Sequence, residues 1–117
     1  MKSVAAERRR HRLARRRRVR ARVHGTAARP RLAVYRSNTG VCLQLIDDTV
    51  GKTLVAVYDR GLTGKGKRAR AEAAGKKVAE LAGKQGIKAA VFDRGGFRYH
   101  GRIAAVADGA RAGGLKV

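Results

Sequence analysis

Ten arginines fall within residues 8–22, RRRHRLARRRRVRAR. Such a run cannot enter a core, because a guanidinium stays charged at every accessible pH and its unpaired burial is prohibitive. Any core must therefore come from the chain that follows. Like charges also recur within the run at i,i+3 and i,i+4 spacing, which opposes a helix in isolation. The expectation is a basic arm over residues 1–28, disordered when free and ordering along phosphates, in front of a globular body over residues 29–117.

The chain has 117 residues, enough for one small domain. Its 29 Lys and Arg against 8 Asp and Glu give a net charge of +21. Residues 1–31 hold 13 of the basic residues and one acid, Glu7, and the remainder is still basic. Self-repulsion of this size favours a polyanionic partner, and a basic arm before a milder basic body is a nucleic-acid footprint. Cys42 is the only cysteine, so no intrachain disulfide is possible and a reducing compartment fits. No apolar run approaches the ~20 residues of a membrane span, so no membrane partner is expected. The first residues lack the continuous apolar stretch of a signal peptide. Val4, Leu13, Val19 and Val23 make no clean apolar face of the kind a transit segment shows.

The body carries two periodicities. Leu32 to Arg36 alternate as a strand after Pro30, and Ser37-Asn38-Thr39-Gly40 is turn chemistry. "VCLQLID" places Val41, Leu43 and Leu45 on one face, and "TLVAVYD" follows a second turn, which predicts an antiparallel three-strand meander. Beyond the loop "RGLTGKGKR", Ala71, Ala74, Val78, Leu81 and Ala82 recur at helical spacing, with Glu72–Lys76 and Glu80–Lys84 as i,i+4 pairs and Gly86 as the C′ glycine. "IKAAVFD" predicts a fourth strand buried on both faces and reached through a helix, hence a parallel pairing. Ile103, Val106, Ala107 and Ala110 set a second helix that ends at Gly113-Gly114. The predicted class is α+β: a two-layer sandwich with both helices on one sheet face and the other face at least partly open.

Three enzymatic chemistries fit poorly. "GLTGKGK" has the spacing of a phosphate-binding loop at Gly61, Gly66 and Lys67, but Arg68 stands where a metal-binding Ser or Thr is required. Asp93, Tyr99 and His100 resemble an acid–base set, yet His100 is the body's single histidine and nothing in sequence places Cys42 near it. No Cys, His or acidic pattern has metal-ligand spacing. The expectation is no enzyme, no metal, no cofactor and no small-molecule substrate.

Gripping accounts for more. "DRGGFRYHGR" (93–102) runs from a strand into a helix, so Gly95, Gly96 and Gly101 bring backbone amides to a helix N-terminus suited to phosphate. Arg94, Arg98 and Arg102 add forked donors, Tyr99 and Phe97 offer stacking faces, and His100 can donate to phosphate or a 2′-hydroxyl. Phe97 serves equally well as a core residue under the loop. Asp93 reads as an anchor, pairing with Arg94 or capping the turn. Arg29, Arg31, Arg36 and Lys52 flank strands and turns where an open sheet face would meet RNA. The arm contributes Arg8, Arg9, Arg10, Arg12, Arg15, Arg16, Arg17, Arg18, Arg20 and Arg22.

At "RPRLAVYRSN", "QLIDD", "GKTL", "VFDRGGFRYHGR" and "ADGAR", the chain resembles the bacterial-type large-subunit ribosomal protein L eighteen family from about Thr26 to Leu115. The resemblance implies a 5S ribosomal RNA-binding protein of the ribosome in the cytoplasm. It implies contacts to 23S ribosomal RNA in the central protuberance and to neighbouring 5S-binding ribosomal proteins. It carries Arg29, Arg31, Arg36, Ser37 and Asn38 onto the family's first-strand segment. Asp93, Arg94, Gly95, Tyr99, His100, Gly101 and Arg102 match its loop signature. Thr39-Gly40-Val41-Cys42 departs from the family's usual Lys-His-Ile-Tyr, and "GLKV" replaces an acidic and aromatic ending. A general basic RNA-binding or chaperone-like protein is the alternative.

Overall fold

The computed structural model describes residues 4–20, 23–37, 40–60, 62 and 65–117. Its elements in order are α1 (Val4–Arg20), β1 (Arg31–Arg36), β2 (Val41–Asp47), β3 (Lys52–Tyr58), α2 (Gly66–Lys84), β4 (Val91–Asp93) and α3 (Arg102–Ala112). They form an α+β fold around one four-stranded sheet of order β3-β2-β1-β4. The pairs β1/β2 and β2/β3 are antiparallel and β1/β4 is parallel, as the alternation and the crossover helix predict.

Period-2 alternation gives the sheet two unlike faces. Leu32, Val34, Val41, Leu43, Leu45, Val55 and Val57 are buried against α2 and α3. The two helices approach closely because their facing positions are small. A Cβ at Gly75 would collide with the Val106 carbonyl, and one at Gly109 with the Glu72 carbonyl. Both helices end in Schellman motifs. The Gly86 and Ile87 amides donate to Gly83 and Ala82, and the Gly114 and Leu115 amides to Arg111 and Ala110.

Three elements depart from expectation. Helix α2 begins at Gly66, five residues before the apolar stripe opens at Ala71, because Lys67 to Arg70 are good helix formers that stand outside the packed face. The fourth strand is three residues long, lies at the sheet edge, and leaves Val91 and Phe92 half-buried rather than buried on both faces. Its entry is instead tied to the C-terminal segment, where the Ala90 amide donates to the Lys116 carbonyl at 2.8 Å and the Lys116 amide to that of Lys88 at 3.0 Å. The arginine run is helical over Val4–Arg20 despite its like-charge spacings. Its Ala, Leu and Arg residues are strong helix formers, Glu7 sits in the first turn, and contacts to the body offset part of the repulsion.

Candidate nucleic-acid interface

The loop after β4 is held from beneath by one carboxylate. Asp93 Oδ1 accepts from the Gly95 amide at 2.9 Å, and Asp93 Oδ2 accepts from Arg31 Nη1 at 2.8 Å. Asp93 is thus the expected anchor and turn cap, but its charged partner is Arg31 and not the adjacent Arg94, which donates to the Phe97 carbonyl. Arg31 also forks onto Asp48, with Nε to Oδ2 at 3.0 Å and Nη2 to Oδ1 at 3.1 Å. Burial alone would lower the Arg31 pKa, but hydrogen bonds and charge from Asp48 and Asp93 outweigh it and raise it. Its side chain is 12% exposed, so this arginine braces the sheet from within.

Helix α1 docks on the same loop. Arg15 Nε donates to the Gly96 carbonyl at 3.0 Å, and the Arg12 guanidinium lies 5.4 Å from the Phe97 ring centroid. Gly96 adopts φ +81°, and a Cβ there would stand 2.5 Å from the Arg12 carbonyl oxygen and 2.9 Å from Arg16 Cβ. Phe97 is half-buried, with Tyr35 edge-on at 6.5 Å, so it joins loop to sheet. The result is a groove in which Arg8, Arg9, Arg12 and Arg15 face Tyr35, Arg36 and Ser37.

The far end of the loop meets the first turn. Arg102 Nη1 donates to the Ser37 carbonyl at 2.9 Å, joining two of the expected contact segments. Burial lowers the Arg102 pKa, the Arg36 charge lowers it further, and Arg70 adds to this while Asp59 opposes it. Three arginines therefore crowd one acid, and Asp59 is itself buried, with Oδ2 unpaired among the described residues. Gly40 makes room for it, since a Cβ there would strike Asp59 Oδ1. Among the described residues neither α2 nor α3 has an acid in its first turn or a side-chain cap, so both N-termini favour an anion, and in α3 the Ile103 amide is already taken by the His100 carbonyl.

The remaining expected residues sort by position. Tyr99 is exposed, packs edge-on to Phe92 at 5.9 Å, and its hydroxyl accepts from Arg111 Nη1 at 3.0 Å. His100 is exposed beside it, and Gly101 takes φ +55° as the N-cap of α3. Arg10 pairs with Glu7 at 3.9 Å, and Arg17 and Arg18 are exposed on α1. Arg20 is the last residue of α1, while Arg22 and Asn38 lie outside the described residues. Arg29 and Lys52 stand at the opposite end of the sheet, away from the loop, because Lys52 pairs with Asp47 and Arg31 with Ile46. The basic loop 61–65 is largely outside the described residues, and Lys67 and Arg68 open α2.

Sequence reasoning passed over Tyr35 and Tyr58, which are 62% and 64% exposed on the sheet face opposite the two packed helices. The alternation held the signal: with Val34 and Val57 inward, both neighbours must point outward. Arg70 and Asp59 were also missed, since only the fold brings them to Arg36 and Arg102. Among the described residues there is no cluster of three metal-ligating side chains and no helix long and apolar enough to cross a membrane.

Comparison with known proteins agrees with this geometry. Residues 6–117 match the family described as ribosomal L18 of archaea, bacteria, mitochondria and chloroplasts. The large ribosomal subunit protein uL18 of Chlorobaculum parvum is 58% identical over 103 residues, covering 84% of this chain and 86% of that protein. The protein of the same name from Nitratidesulfovibrio vulgaris is 51% identical over 105 residues, covering 85% and 87%. The family match takes in α1 from Ala6 onward, the sheet and the loop alike, and the chain belongs to the ribosomal L18 family, a structural and not an enzymatic one.

Proposed function

We propose that this chain is a structural constituent of the large ribosomal subunit that binds 5S ribosomal RNA and helps attach it to 23S ribosomal RNA in the central protuberance. The observation that carries the reading is the docking of α1 on the 93–102 loop. It sets Arg8, Arg9, Arg12 and Arg15 beside Tyr35 and Arg36 at one end of the sheet. Charge from the helix neutralises phosphates, while the braced loop presents fixed amides, Tyr99 and His100 to RNA shape. Arg31, held by two carboxylates, acts by keeping that loop in place. Neighbouring 5S-binding proteins complete the assembly.

The test is a gel-shift titration of 5S RNA at about 150 mM salt, where purely electrostatic binding is weakened. An unrelated structured RNA of equal length serves as competitor. Survival of the 5S complex under a large excess of competitor supports the assignment. Equal competition leaves charge alone as the binding force and makes the chain a general basic RNA-binding protein.

A further inference from the structure

The exposed sheet face carries one cross-strand row that begins at Tyr35, beside its Phe97 contact, and runs out to the edge strand β3. Tyr35 on β1 pairs with Cys42 on β2, and Cys42 pairs with Tyr58 on β3, so the three side chains stand in line on the same face. The outer two are largely exposed, and the middle one is short and half-buried. Strands lie roughly 4.8 Å apart, which puts the two tyrosines roughly 10 Å apart at the backbone. A planar ring held between two others at ordinary carbon contact needs about 7 Å from ring to ring. A modest lean of the two tyrosines would close the row into a slot one aromatic ring wide, with the Cys42 thiol as its floor.

Two adjoining hollows share these three residues. One, of about 600 Å³, extends under α1 and is lined by Arg12 and Arg16; the other reaches Ser37, Gly40 and Arg60. A polyanionic strand crossing the row therefore meets cations at both ends. This charge arrangement favours a nucleic acid over an apolar peptide as the occupant. We propose that Tyr35 and Tyr58 clamp one unpaired base of the bound RNA over Cys42, with the flanking phosphates held by Arg12 and Arg16 on one side and Arg60 on the other. The proposal rests on the RNA-binding reading above and adds a specific stacking site to it.

Cys42 is the only thiol and the chain has no tryptophan, so the protein carries its own probes. The experiment follows iodoacetamide alkylation of Cys42 and tyrosine fluorescence during 5S RNA titration of the full chain. The signal of Tyr35 and Tyr58 is read as the difference between wild type and a Tyr35→Phe, Tyr58→Phe variant, which keeps both rings and leaves Tyr99 in the loop. The expected result is protection of Cys42 and quenching of both tyrosines at the RNA concentration that gives the gel shift. Tyr58→Leu is expected to weaken binding by roughly 5- to 150-fold, the loss of one base–aromatic stack, and Tyr58→Phe to retain it. Tyr58 has no ring partner among the described residues, so its replacement leaves the Tyr35–Phe97 contact in place. RNA binding with Cys42 alkylated at its free rate, or equal affinity for Tyr58→Leu and wild type, overturns the slot while the RNA-binding reading stands. Failure of wild type to shift 5S RNA at all sinks both.

Discussion

Arg31 and Asp93 are 62 positions apart in sequence and joined by a 2.8 Å hydrogen bond from Nη1 to Oδ2. The bond runs between β1 and the parallel edge strand β4, at the point where β4 passes into the 93–102 loop. Because Asp93 also receives the Gly95 amide, and Arg31 also forks onto Asp48, one nearly dry cluster fixes the loop's first turn to the sheet.

Removing the cation from this cluster strands two carboxylates. Arg31→Ala is expected to destabilise the fold by about 3 kcal/mol in urea unfolding, the usual result of breaking a buried pair from one side. Arg31→Lys recovers only part of this, since an ammonium cannot fork onto Asp48 while reaching Asp93. The arginine's pKa rises on folding, so its contribution holds below the unfolded value and is lost only as pH climbs through the folded one. Both lie at or above an arginine's ordinary value, well clear of this range, so deprotonation of Arg31 does not weaken the cluster between pH 6 and 10. A loss of stability in that window traceable to Arg31 would contradict this assignment.

Gly96→Ala is expected to separate α1 from the body. The residue sits at φ +81°, and its Cβ would press on the backbone of Arg12 and Arg16. A non-glycine residue there costs on the order of 1–3 kcal/mol in backbone strain, and moving α1 is the easier relief. Limited trypsin digestion reads the outcome: cleavage within residues 8–20 should quicken while the body stays resistant. Unchanged cleavage would mean that the helix does not rest on Gly96.

Two glycines inside α2, Gly75 and Gly83, should respond with opposite sign. Gly75 faces the Val106 carbonyl across the helix crossing, whereas a Cβ on Gly83 meets nothing within 4 Å. Gly83→Ala therefore stabilises by roughly 0.5–1 kcal/mol through reduced chain entropy. Gly75→Ala forces α2 and α3 apart and destabilises by about 1–3 kcal/mol. Thermal or urea unfolding of the pair checks both, and a common sign would show that the crossing is not set by Gly75.

What was legible in sequence was periodic or local. Val41, Leu43 and Leu45 face inward as their alternation requires, and Gly86 and Gly114 take the positive φ that ends each helix. The stripe from Ala71 to Ala82 likewise packs as its spacing predicts. What escaped depends on contacts between distant segments. Gly96 looks like any loop glycine until α1 lies on it, and Arg31 looks like a surface charge until Asp48 and Asp93 close around it. The helicity of residues 4–20 belongs here too: local charge argues against it, and the docking that supports it lies about 80 residues away, at Gly96.

Helix and loop should divide affinity from discrimination, and salt separates them. Each phosphate neutralised contributes about 0.7–0.9 to the slope of log affinity against log salt. The exposed arginines of α1 supply most of the charge near the groove, so deleting residues 1–20 is expected to flatten that slope markedly. Preference for 5S RNA over an unrelated structured RNA should survive in large part. Replacing His100 and Arg102 with alanine is expected to do the reverse, because Arg102 ties the loop to the Ser37 carbonyl and His100 lies beside it. That double variant should lose discrimination with a slope change of about one phosphate. Competition gel shifts at 50 and 200 mM salt measure both quantities for each variant. If the loop variant loses affinity equally for both RNAs, the 93–102 segment contributes only charge, and discrimination must come from elsewhere on the sheet face.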